Sequence, residues 1–166
     1  MLKTSKKLTA AVIAVAFLLV APAANAAEIE KLVIEQDAPV LVNVPNGETT
    51  QTNTGDLLFF AADLRNAKGK KLGEVIGLVT SFDVTLDGVE EEDRFRELVF
   101  NMRKGQIVAL GASQYVASQA PDFADDNAAV TIPIVGGTGE YFGARGTVTT
   151  KKRANGTYRH TFRLVR

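Results

Sequence analysis

Residues 134–146 read IVGGTGEYFGARG, five glycines in thirteen positions around a Glu-Tyr-Phe triplet. A run of this kind cradles phosphate when it opens a helix, because its backbone N–H groups can close on the anion. Here each phosphate pattern fails. A dinucleotide fingerprint needs a third glycine where Phe142 stands, and a phosphate loop needs a Gly-Lys pair, yet no lysine lies between Gly105 and Lys151. The residues after Gly146, Thr147-Val148-Thr149-Thr150, favour strand over helix. Residues 83–94 resemble the start of a calcium loop, but Thr85 stands at its third position and Arg94 where a bidentate Glu is required. The acidic run Glu90-Glu91-Glu92-Asp93 then reads as a solvated connection. His160 is the sole histidine, so an imidazole metal centre or a Ser-His-Asp triad would have to use it alone. It shares a strand face with Tyr158 and Phe162, which favours a packed or interfacial histidine. No metal site is expected.

The surroundings of these residues are set by length, charge and the N-terminus. Lys3, Lys6 and Lys7 precede a thirteen-residue apolar run, LTAAVIAVAFLLV, and Ala24-Asn25-Ala26 follows as a small-x-small cleavage site. That order is a secretory signal, with cleavage expected after Ala26 and one domain over residues 27–166. The run is short for a membrane span, and no later segment is apolar and long enough to be one. Cleavage removes three lysines and leaves 16 basic against 19 acidic residues, a net charge of −3. Nucleic acid is therefore not an expected partner. There is no cysteine, which excludes a disulfide framework, a thiolate metal site and a thiol nucleophile. An exported, cysteine-free domain fits a bacterial envelope protein, periplasmic or secreted.

Turn residues cut the mature chain into short β-like pieces. Residues 28–44 hold two apolar runs, parted by Asp37 and Pro39. Further strands are expected over 55–64, 72–86, 94–102, 106–116, 128–135, 146–152 and 157–165. Gly73 and Gly77 fall inside one of them, which suggests bulges or sharp curvature. Asn155-Gly156 is the strongest hairpin signal in the chain. Residues 157–164 alternate cleanly between polar Thr157, Arg159, Thr161, Arg163 and apolar or aromatic Tyr158, His160, Phe162, Leu164. Several short strands with few helix signals predict an all-β sandwich or barrel. Glycine near the C-terminus then serves curvature and the close approach of two backbones.

The stretch AVTIPIVGGTGEYFGARGTVT, followed by a short hairpin and YRHTFRL, resembles the C-terminal half of the allene oxide cyclase and dirigent superfamily. Upstream, GDLLFFAADLRNAKGKKLGEVIGLVTSFD is similar to the family in its strand, Gly-Lys hairpin and returning strand. The resemblance implies a closed antiparallel barrel of about eight strands with an apolar interior, often a homotrimer, working without a cofactor. Plant allene oxide cyclases close an unsaturated fatty-acid epoxide into a cyclopentenone; dirigent proteins hold phenolic intermediates and steer their coupling. Glu140 stands where dirigents often place Asp after GGTG, and Arg145 matches the Arg of their ARG element, where plant cyclases carry Tyr. The implied catalytic roles are proton transfer by Glu140 and oxyanion support by Arg145. The alternative is an ion pair closing the barrel mouth. Asp63, Tyr115 and Tyr141 are further ligand-contact candidates, with an edge-strand charge as the alternative for Asp63 and a core aromatic for Tyr115.

Three functions are compatible with such a barrel. One is a cofactor-free isomerase or cyclase, or a stereochemical guide, for a fatty-acid-, phenolic- or polyketide-like molecule. Another is a lipocalin-like ligand carrier, and the third is a structural envelope protein whose interior is filled by side chains. The state of the interior distinguishes them.

Overall fold

Along residues 158–165 burial follows the alternation of the sequence. Tyr158, His160, Phe162 and Leu164 are buried, while Arg159 and Arg163 are exposed. A chain of period two does this when one face of the strand is turned to a core. The computed structural model describes residues 29–46, 54–82, 91–116 and 129–165. Within them lie β1 (Ile29–Gln36), β2 (Val40–Val44), β3 (Leu57–Arg65), β4 (Lys71–Phe82), β5 (Glu91–Met102), β6 (Gly105–Val116), β7 (Ala129–Gly137), β8 (Arg145–Lys152) and β9 (Tyr158–Val165). A 3-10 turn (Gly139–Tyr141) joins β7 to β8. The expected signal segment and residues 83–90 of the calcium-like loop lie outside the described residues.

Hydrogen-bonded neighbours run β1-β9-β8-β7-β6-β5-β4-β3-β2, and β1 also pairs with β3. That last pairing closes the sheet: Glu35 faces Arg65 and Gln36 faces Leu64. Eight antiparallel strands thus encircle the interior, as the sequence predicts. A ninth arises because residues 28–44 supply two strands, with the break at the Asp37 and Pro39 interruption. There Arg65 clamps Asp37, Nη2 to Oδ2 at 2.8 Å. The Asp37 N–H donates to the Asp63 carbonyl at 3.0 Å. Beyond the break β2 runs on along β3, Val40 opposite Ala61 and Val44 opposite Leu57, with all five of its residues exposed.

The inward residues fill one half of the barrel. Ile34, Leu64, Phe100, Ile107, Phe162 and Leu164 are wholly buried. Phe100 and Phe162 meet edge to face with ring centroids 4.9 Å apart. Each such side chain stabilises the fold by about 1.5–3 kcal/mol. The base below them is sealed by the 3-10 turn. The Glu140 N–H donates to the Lys104 carbonyl at 2.8 Å, and the Thr138 N–H donates to the Gln106 carbonyl at 2.9 Å.

The glycine-rich stretch therefore bends a strand pair across the base of the barrel, and the only helical piece within it is the three-residue 3-10 turn. Gly146 shows why glycine is needed: its φ is 128°, and a Cβ there would run into the Arg163 carbonyl. Gly77 acts by size, since a Cβ would strike the Phe60 ring. At the opposite rim the Asn155-Gly156 hairpin forms as expected, with the Arg153 N–H donating to the Thr157 carbonyl at 2.9 Å. The strand ends that flank residues 47–53, 83–90 and 117–128 lie at this rim as well.

Candidate functional site

A pocket opens at that rim, where β3, β5, β7 and β9 begin and β4, β6 and β8 end. Leu41, Leu58, Phe60, Val79, Leu98 and Ile132 give it an apolar wall. Its polar groups are Gln36, Arg94, Arg96, Thr150, Tyr158 and His160. The pocket is small, about 40 Å³. That is room for roughly three waters, so the unexpanded pocket suits a chain or a ring edge rather than a bulky polycycle. A second pocket, of about 300 Å³, lies at the base against the 3-10 turn, lined by Glu140, Tyr141, Phe142, Gly143, Ala144 and Leu164.

Strand parity places the arginines. On β5 the buried residues are Arg94, Arg96, Leu98, Phe100 and Met102, every second position from the rim to the base. Arg94 and Arg96 are each only 6% exposed, on the same face as the core phenylalanine. The Arg96 Nε donates to Ser113 Oγ on β6 at 2.6 Å. Guanidinium stays charged at any ordinary pH. Among the described residues lining the pocket there is no carboxylate, and both arginines have further partners. From sequence, residues 94–102 read as a strand, Arg94 figures only as a mismatch to a calcium loop, and neither arginine takes a site role. The available signal was Arg-x-Arg in phase with Leu98 and Phe100, a charge on the face that the apolar pattern assigns to the core.

His160 forms the floor of the pocket. Its Nε2 lies 2.8 Å from Gln36 Oε1 and its Nδ1 lies 2.8 Å from Thr150 Oγ1. An amide oxygen only accepts, so Nε2 carries the proton and the Thr150 hydroxyl donates to Nδ1. Phe100 meets the imidazole edge-on, with centroids 4.9 Å apart. Burial pushes the His160 pKa down to about 3, because the charged form cannot be solvated there. The ring is neutral with both nitrogens engaged, as befits the packed histidine that its strand face predicts. Its arrangement suits a fixed dipole better than an acid-base catalyst.

The site residues predicted from sequence fall elsewhere. Glu140 sits exposed on the 3-10 turn at the base, where Lys104 Nζ reaches its Oε2 at 2.8 Å. This hydrogen bond and the attached charge raise the pKa of Lys104. Arg145 is exposed at the start of β8, and its Nη1 donates to the Ala144 carbonyl at 2.9 Å. The ion pair at this end of the barrel thus joins Glu140 to Lys104. Asp63 is half-buried on the outer face of β3, bridged to Lys71 at 2.6 Å and to Arg65 at 3.5 Å. Tyr141 packs under the core and directs its hydroxyl to Met102 Sδ at 4.0 Å. Tyr115 pairs with Glu92 in the β5–β6 register; its side chain lies outside those described. Glu140, Arg145, Asp63 and Tyr141 do not line the rim pocket. Among the described residues no group of three or more His, Cys, Asp or Glu could hold a metal ion, and no helix is long and apolar enough to cross a membrane.

Solved structures share this fold. A pyocyanin demethylase superposes with a TM-score of 0.65 at 22% identity, covering 82% of this chain and 100% of its own. The Diels-Alderase AbmU from Streptomyces koyangensis superposes with a TM-score of 0.61 at 14% identity, covering 83% of this chain and 63% of its own. AbnU, an exo-specific intermolecular Diels-Alderase, gives 0.54 at 18% identity, with 81% of this chain and 98% of its own covered. No protein-family model and no curated protein matches the chain. The likeness is one of fold, and it fits the barrel that the allene oxide cyclase and dirigent resemblance implies.

Proposed function

We propose that the mature, exported barrel holds an apolar small molecule in its rim pocket and guides a cyclisation or isomerisation there without a cofactor. The supporting observation is the apolar-walled pocket at the rim, above the packed Phe100 and Phe162. A wall of this kind restricts a flexible molecule to few conformers, and ring closure gains most from that restriction because the reacting ends are brought together in advance. Proton transfer is a poor fit to the described lining, where the one imidazole is neutral and fully engaged. Reactions that need shape and fixed dipoles, such as the cycloadditions named for two of the fold neighbours, are the better match. In this reading Glu140 and Arg145 serve the base of the barrel, and the chemistry belongs to the rim.

A ligand carrier of the lipocalin kind shares the binding step and differs in turnover. Native mass spectrometry of the purified mature protein tests both, with decanol as the added probe. Saturable binding of decanol, lost when Val79→Trp fills the pocket, is the expected result. Absence of binding, or equal binding to the filled variant, would leave only the structural role. Release of a co-purified molecule in rearranged form after incubation selects the guide over the carrier.

A further inference from the structure

The outer face of β2, β3 and β4 carries rows of apolar side chains that cross all three strands. Val40 faces Ala61, which faces Ile76; Val42 faces Phe59, which faces Leu78. Leu41 and Phe60, at the alternate positions, turn inward to the pocket. The outward rows stand in solvent: Val40 is 73% exposed, Val42 55% and Ile76 51%. We propose that this face packs against the same face of a second copy of the chain, and that the contact completes the rim pocket by fixing β2. The second half rests on the rim pocket being the ligand site, and adds a regulation of that site by association.

The two rows and Val44 present apolar surface on the order of 500 Å², the size of an interaction patch, and two such faces bury roughly 1,000 Å², enough for a specific contact. The rows hold no charge, so the face can meet its own copy without burying an unpaired ion. Sheets laid together in this way interdigitate about 10 Å apart. A contact of one face with itself closes at two copies, unlike the three that the resemblance implies. Asp63, Glu74 and Glu97 border the rows, and these carboxylates make an anionic lipid surface the poorer fit. The link to the pocket is β2 itself. Among the described residues it pairs only with β3, and all five of its residues are exposed. This one short strand turns Val40 and Val42 outward and Leu41 to the pocket. Covering its outer side holds the strand on β3 and sets Leu41 as a fixed wall. In a lone copy that wall is held by a single ladder of five pairs.

The test reads mass and ligand affinity together on the mature protein. Light scattering after size exclusion should give twice the chain mass for the wild type, and the single mass for Val42→Lys and Ile76→Lys. Both positions are exposed, so both variants should fold, with circular dichroism as the check; if one does not, the other decides. Decanol affinity, by native mass spectrometry, should fall roughly tenfold in both variants, as expected when few copies hold the competent wall. Ile76 lies on β4 and does not line the pocket, so its effect on decanol reports association rather than damage to the wall. A wild type that is monomeric or trimeric, or lysine variants that keep the dimer, overturn the contact. A monomer that floats with phosphatidylcholine vesicles overturns it too and assigns the face to lipid. Monomeric variants with wild-type decanol affinity overturn the coupling. If the wild type takes no decanol, the rim-pocket reading fails, and the masses still decide the contact.

Discussion

Thr150 and His160 face each other across the β8–β9 ladder, and their side chains are joined by a 2.8 Å hydrogen bond wholly inside the barrel. The bond holds a neutral imidazole that is only 2% exposed, and a pH dependence follows. In the unfolded chain the ring titrates near 6.5, whereas in the folded barrel burial lowers its pKa to about 3. Below pH 6.5 the unfolded state therefore binds a proton that the folded state refuses. Stability is full above about 6.5 and declines as pH falls toward 3. Between pH 7 and pH 5 the loss from this group is about 2 kcal/mol. Urea unfolding of wild type and His160→Gln at the two pH values isolates the contribution. The variant should show a smaller decline by about that amount, and parallel declines would contradict the account.

Gly146 is expected to tolerate no side chain. Gly146→Ala sets a Cβ against the Arg163 carbonyl at a φ of 128°. The substitution should cost at least about 2 kcal/mol, measured by denaturant midpoint at unchanged m-value.

Glu140→Gln removes the charge from the contact with Lys104 at the base, on the far side of the core from the rim pocket. Ligand affinity and any turnover should stay at the wild-type level, and the melting temperature should barely move, since both partners are exposed. Loss of turnover with binding retained would return Glu140 to the chemistry.

Export should remove the first 26 residues. Intact mass of the protein recovered outside the cytoplasm is expected to begin at Ala27, and Ala26→Arg should block processing by spoiling the small-x-small site. An intact Met1 terminus on exported material would refute the signal.

Much of the barrel was legible where one strand carries its own pattern. The β9 alternation gives its buried face, Asn155-Gly156 gives its hairpin, and Asp37 with Pro39 marks the break between β1 and β2. The pocket was not legible, because it is assembled across the barrel. Gln36 and His160 are 124 residues apart in the chain and meet only because β1 pairs with β9. Arg94 and Arg96 looked like the solvent face of a strand, as charged residues usually are. The glycine-rich element drew attention for its composition, yet that composition answers to the close approach of backbones at the base.

The β1–β3 ladder has two facing residue pairs, extended by the Asp37 bond to the Asp63 carbonyl and its ion pair with Arg65, whereas β4 and β5 share ten pairs. A cask is only as tight as its last stave. Amide exchange should be quickest where Glu35 and Gln36 meet Arg65 and Leu64, and partial opening should begin there. Tension on the chain would part that joint before it disturbed the broad β4–β5 and β5–β6 ladders.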